Sequence, residues 1–216
     1  MIDNREGSGI GYYGGLVLCV DETQPTGKQA MPEQQQYIEH TANWVKKVIM
    51  KYNLCPFARR EVERASIRYV VVEEHKPKVV LQALLAECGL LDEQPEVETT
   101  LVILPRGFEG FYAYLDLVDL ADELLFEQGF EGKYQLASFH PDYCFDGELQ
   151  NDAANYTNRS PYPTLHLIRE ASIETALADY DDPESIPERN IHFARRKGSD
   201  FFVRLLTQCT QTPKAE

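Results

Sequence analysis

From Glu33 onward the apolar positions fall into alternating helical and extended rhythms. Ile38, Ala42, Val45, Val48, Ile49 and Tyr52 recur at intervals of three and four residues, which predicts an amphipathic helix over 33–52 stopped by Asn53. The β-branched run Ile67–Val72 reads as a buried strand. Pro77 suits the first turn of a helix that runs to Cys88 and stops at Gly89. A second buried strand covers Thr99–Leu104 before Pro105, and a helix covers Tyr112–Phe126 before Gly129. Tyr134–Phe139 makes a third strand and Thr164–Ile168 a fourth, separated by the long polar connection 140–163. A loop of that length is uncommon in a compact domain unless it orders around something. Helical spacing returns at Ser172–Tyr180, the Asp182-Pro183 and Ile186-Pro187 pairs punctuate the chain, and a last helix covers Asn190–Cys209.

Strands alternating with helices imply parallel crossovers for the first three strands, while the strand-loop-strand end admits an antiparallel neighbour. The expected fold class is therefore α/β (mixed α+β), a single domain over 33–210 built on a four-stranded mixed sheet covered by helices. Residues 1–32, rich in Gly, Gln, Pro and Thr, read as a mobile extension, and 211–216 as a frayed tail. Gly9, Gly11 and Gly14 spell GxGxxG, but no strand precedes them and no helix follows, so no phosphate cradle is expected there. In sheets with parallel crossovers the ligand crevice lies at the carboxyl ends of the strands, and the third strand ends at His140.

Charge narrows the partners. Across 216 residues, Lys+Arg 21 against Asp+Glu 35 leaves a net −14, which disfavours nucleic acid and anionic membranes. No apolar stretch approaches the ~18 residues a membrane helix needs, and the first residues lack the basic-then-apolar start of a signal peptide, so a cytoplasmic location is expected. Cys19, Cys55, Cys88, Cys144 and Cys209 are widely spaced with no CxxC pair, which writes neither a disulfide framework nor a zinc knuckle.

Candidate chemistry gathers in two segments, Phe139–Phe145 and Asn155–Glu170, where polar, aromatic and proline residues are densest. His140, fixed before Pro141, suits a general base or an interior histidine that ties down the connection. Asp142 suits an acid-base partner or a turn former. Asn158 and Arg159 on a proline-stiffened loop suit an anionic small molecule, because guanidinium offers a bidentate fork. Arg169 offers a second fork or a structural ion pair, and His166 lies on the same segment. His140, Asp142, Cys144 and His166 form an alternative metal set, although no cofactor is predicted. Cys55 precedes Pro56, which suits a helix start, so its thiol is expected near helix amides and the charges of Arg59 and Arg60, either as a nucleophile or simply packed. Trp44, Tyr112 and Tyr114 sit on amphipathic helices and read as core or interface. The basic clusters Arg59–Arg68 and Arg189–Lys197 read as solvated helix faces.

The segments Asn53–Ala58 (NLCPFA), Phe139–Tyr143 (FHPDY) and Asn155–Glu170 (NYTNRSPYPTLHLIRE) together resemble the uncharacterised bacterial domain-of-unknown-function family numbered 1415. The resemblance spans about residues 35–208 and implies candidate positions without implying a reaction. Two departures are the first thirty-odd residues and Cys144, where the family pattern leads one to expect glutamine.

The leading expectation is a small-molecule enzyme or ligand-binding domain. Its pocket forms where Cys55, His140, Asn158, Arg159 and His166 meet, with catalysis itself left open. The rival is a non-catalytic interaction or scaffold protein whose motif residues satisfy one another. A pocket with convergent unpaired polar groups separates the first from the second.

Overall fold

The β-branched, apolar runs pair into one four-stranded sheet in the order β1-β2-β4-β3. The structure, a computed structural model, describes residues 33–178 and 182–211, so the expected N-terminal extension and most of the tail lie outside the described residues. The strands are β1 (Ile67–Val71), β2 (Thr99–Ile103), β3 (Tyr134–Phe139) and β4 (Thr164–Arg169). β1 and β2 are parallel, whereas β4 runs antiparallel to both β2 and β3 and lies between them. The mixed α/β single domain expected from the sequence is therefore present. β2 and β4, in the middle of the sheet, are buried on both faces, which is why they read as continuous runs rather than alternating ones.

Helices cover each face. On one, α3 (Pro77–Glu93) and α4 (Phe111–Glu127) pack Val80, Leu84, Leu91, Leu117 and Leu125 against Val102, Leu165 and Leu167. On the other lie α1 (Glu33–Trp44), a π-helical turn (Val45–Met50), α2 (Ala58–Glu63), α6 (Ile186–Lys197) and α7 (Ser199–Thr210). Their core is Trp44, Val48, Ile49, Ala194 and Phe202 against Leu101. Short α5 (Glu170–Leu177) follows β4, and single 3-10 turns occupy Ala153–Thr157 and Pro183–Ser185.

Three sequence expectations change. The first helix does not run as one α-helix to Tyr52; it widens at Val45 into π geometry, a rare form often found at functional sites, and Asn53 ends it at φ 53°. Gly89 does not stop α3, because Cys88 and Leu91 continue the buried stripe set by Leu84, and the helix reaches Glu93. The last helix is two helices, α6 and α7, divided at Gly198, whose φ of +79° suits a residue without a Cβ.

Gly107 has a sharper constraint. Its φ is +87°, and a Cβ there would lie 2.3 Å from the His75 Cβ and 2.6 Å from its Cα. Gly107→Ala is therefore expected to lower unfolding free energy by about 1–3 kcal/mol, read from urea midpoints, because both backbone strain and a main-chain clash must be relieved. An unchanged midpoint would mean the loop relaxes freely.

Candidate functional site

Face alternation decides which polar side chains meet. The register aligns Leu101, His166 and Ala137 across β2, β4 and β3, with Thr99 and Ile168 in the next row, all on the face beneath the π turn and α2. Between them lies an inner chamber of about 150 Å³ whose wall also includes Trp44, Val45, Cys55, Glu61 and Phe139. An outer cleft of about 490 Å³ adjoins it, bordered by Asn158, Phe145, Ile173, Pro187 and Asn190. Chamber and cleft share Ile49, Cys55, Phe57, Ala137, Phe139 and Ile168, so the thiol stands at the partition.

Among the described residues, three buried side-chain atoms have no hydrogen-bond partner: Trp44 Nε1, Glu61 Oε1 and His166 Nδ1. The residues that carry them line the chamber, although the surface it presents is almost wholly apolar and the three atoms themselves are shut off. Trp44 and Glu61 are each 1% exposed and His166 is 9% exposed. Buried polar atoms are nearly always paired, so three orphans around one cavity mark it as chemically distinct from the rest of the interior.

Their protonation states follow from their neighbours. Thr99 Oγ1 lies 2.5 Å from the Leu167 carbonyl and 2.7 Å from His166 Nε2. Two oxygens that close need a proton between them, and only the hydroxyl has one, so Thr99 donates to Leu167. His166 Nε2–H must then donate to Thr99, which leaves Nδ1 as a bare acceptor. Burial agrees, pushing the imidazole down to about 4, so the ring is neutral. Glu61 Oε2 accepts from Ser66 Oγ at 2.5 Å. Its Oε1 has Arg60 Nε at 3.5 Å, an ion contact without hydrogen-bond geometry, and the Arg60 side chain is half-exposed. Phe139 spans the chamber wall, its ring 5.0 Å from that of Trp44 and 6.0 Å from that of His166.

Cys55 lies ahead of α2, which starts at Ala58 rather than at Pro56 as the sequence suggested. The backbone amides of Phe57 and Ala58 favour its thiolate, but burial outweighs them and pushes the thiol up. Arg59 reaches outward to Glu63 at 3.7 Å, with both side chains exposed, and does not serve the sulfur.

The meeting of five residues expected from the sequence is divided by the sheet. Cys55 and His166 share the chamber wall and Asn158 borders the outer cleft, but His140 and Arg159 line neither. His140 is wholly buried against Phe111 and Tyr114, with Nε2 bonded to the Phe108 carbonyl at 3.0 Å and Nδ1 accepting the Asp142 amide at 3.0 Å. Both ring nitrogens are thereby engaged. Asp142 is exposed, and its backbone rather than its carboxylate holds the histidine. Arg159 donates to the carbonyls of Tyr143 at 3.1 Å and Gln150 at 2.7 Å and lies 4.4 Å over the Tyr156 ring. Arg169 donates to the carbonyls of Leu91, Gln94 and Val97, tying β4 to the end of α3 instead of pairing with Glu170. The alternative metal set is separated too: Cys144 Sγ donates to the carbonyls of Phe145 and Glu148, and among the described residues no group of three or more His, Cys, Asp or Glu is placed to hold an ion.

The cavity meets the sheet at the carboxyl end of β3, where Phe139 lines both chamber and cleft, and at the amino ends of the parallel pair β1 and β2. Ile67 and Thr99 open β1 and β2, and both line the chamber. The crevice rule needs a switch point between parallel neighbours, and antiparallel β4 fills that place.

Sequence reading missed Glu61 and Thr99 and assigned Trp44 to core. Glu61 was hidden among Arg59, Arg60 and Arg64. Its spacing of three and four residues from Ala58 and Phe57, both buried, was the available signal for an inward-facing carboxylate.

The family model described as protein of unknown function (DUF1415) matches residues 36–204 of the chain. No curated protein and no solved structure matches. Among the described residues, no helix is long and apolar enough to cross a membrane.

Proposed function

From the premise that this chain belongs to the DUF1415 family over residues 36–204, we propose that it is a small-molecule binding domain whose ligand enters through the outer cleft and seats in the inner chamber. The observation that carries the reading is a largely apolar chamber of about 150 Å³ that shares Cys55, Ala137 and Phe139 with an adjoining cleft of about 490 Å³. A concave, largely apolar site with a few convergent polar groups is the usual form of a ligand pocket. The chamber is lined by no cation and presents almost no polar surface, so the anionic ligand expected from Arg159 gives way to an uncharged, largely apolar one. Cys55 at the partition is the group a reacting ligand would meet first, held as a thiol by burial. The FHPDY and NRSPYP segments support the site by closing on themselves through His140, Asn155 and Arg159, a feature that the scaffold reading shares.

A thermal-stabilisation screen against Ala137→Leu tests this, because Ala137 borders both cavities and a larger side chain fills them. A ligand present at 100 times its dissociation constant is expected to stabilise the natural protein by about 2.7 kcal/mol. The variant is expected to lose that gain. Compounds that stabilise both proteins equally, or a screen without any stabilising compound, would reject the chamber as the site.

A further inference from the structure

Two apolar surfaces meet across the outer cleft without anything between them. On its floor β3 presents Gln135, Ala137 and Phe139, every second residue and so one face of the strand, with Ile168 of β4 in the same wall. Ala137 and Phe139 remain half-buried, although helices pack elsewhere on that face. Along its side α5 presents Ile173, Ala176 and Leu177, the spacing of one helix stripe, yet no residue of α5 is buried. An amphipathic helix normally seals its apolar stripe against a core. This one faces open space.

Charge is missing from the same walls. Asp, Glu, Lys and Arg make up 26% of the chain, but among the described residues none of these four types lines the cleft. Two of its polar residues are already engaged: Asn190 Nδ2 donates to the Leu54 carbonyl at 2.7 Å, and Thr157 Oγ1 donates to the Ala154 carbonyl at 2.9 Å. An ionised ligand group placed there would lose water without gaining a counter-charge. Resting on the chamber as a binding site, we infer that the ligand is an uncharged chain amphipath, a neutral alkyl or acyl compound. Its tail end fills the chamber, and its body crosses the partition at Ala137 and lies along the cleft between β3 and the α5 stripe.

The two volumes divide the ligand. An apolar cavity of roughly 150 Å³ takes up benzene, and this chamber has a volume of about 150 Å³, so a tail of about six carbons fills it. The cleft offers about 490 Å³ more, which a shorter ligand leaves to water. Of the residues that chamber and cleft share, Ala137 has the smallest side chain. A ligand that occupies both spaces crosses over that single methyl group, which favours an unbranched chain over a fused ring system. Each methylene carried past it leaves water for an apolar wall and is expected to tighten binding by about fourfold.

Trp44 is the single tryptophan of the chain and lines the chamber, so its fluorescence reports on the tail end of a bound chain. The probes are benzene, the straight-chain alcohols 1-hexanol, 1-octanol and 1-decanol, and the charged counterparts octanoate and octylammonium. Benzene and 1-hexanol are expected to bind, and the dissociation constant to fall by roughly two orders of magnitude from 1-hexanol to 1-decanol. Octanoate and octylammonium are each expected to bind at least about tenfold more weakly than 1-octanol. Ala176→Glu, on a helix with no buried residue, places a carboxylate on the cleft wall and is expected to flatten the alcohol series beyond 1-hexanol. A series that already levels off at 1-hexanol in the natural protein would confine the occupant to the chamber, overturning the inference and leaving the chamber reading intact. Octanoate or octylammonium binding as tightly as 1-octanol would overturn the uncharged ligand. If neither Trp44 fluorescence nor the melting temperature responds to benzene or to any alcohol, both readings fall.

Discussion

Between pH 7.5 and 4.5 the protein is expected to lose roughly 2–3 kcal/mol of stability through His166 alone, given a folded pKa of about 4 against an ordinary value of 6.5. The folded ring is neutral and its pKa is depressed, so the unfolded chain takes up the proton first. Stability is thus fully present above pH 6.5 and is lost as the pH falls toward 4, below which both states are protonated and the effect levels off. Burial also lowers His40 and His140, which act with the same sign. Exposed Glu33, held low by Tyr37 and Arg106, and half-buried Asp152, held low by Arg195, add their share only further into acid. Urea unfolding at several pH values checks the expectation, with His166→Gln as the comparison, since an amide does not titrate. A variant with the same pH slope as the natural protein would show that the imidazole is not the source.

Arg159→Ala is expected to cost about 2–5 kcal/mol of folding free energy while leaving the stabilisation given by a chamber ligand unchanged. The guanidinium is buried and donates to the Tyr143 and Gln150 carbonyls, so its removal strands two acceptors in the long connection and takes a cation from the Tyr156 face. Anion binding by the same residue would give the opposite pattern, with modest destabilisation and lost ligand affinity. Urea midpoints together with the thermal-stabilisation screen separate the two, and a stable variant with weakened binding would restore Arg159 to the site.

The fold was legible to the extent that its information is local. Val102, Leu165 and Leu167 announce buried strands by type, and the stripe Leu84, Cys88, Leu91 announces a helix by spacing. Whether a glycine ends a helix is not local. Gly89 stays within α3 because Leu91 beyond it is wholly buried, whereas Gly198 breaks the chain at positive φ. The place of β4 between β2 and β3 was beyond reach as well, since strand pairing joins residues as distant as Thr99 and Ile168.

The candidate site was half legible for a related reason. A density of prolines, amides and guanidinium groups announces an ordered loop, yet a loop orders by bonding its own backbone, which is what Arg159 and Asn155 do through carbonyls and the His140 ring through the Asp142 amide. A pocket shows itself by groups left without partners. His166 and Cys55 were picked out as polar or reactive residues in apolar company, and Glu61 would have followed had its phase with Phe57 and Ala58 outweighed its arginine neighbours.

The strand order has a bearing on biosynthesis. Among the described residues β3 pairs with β4 alone, and β4 follows it in the chain. A ribosome that has released residues 134–139 therefore exposes a strand with no neighbour, and the growing edge of β2 stays open until 164–169 emerge. Translation pauses within the stretch encoding 140–163 would prolong that interval and with it the opportunity for edge-to-edge association between nascent chains.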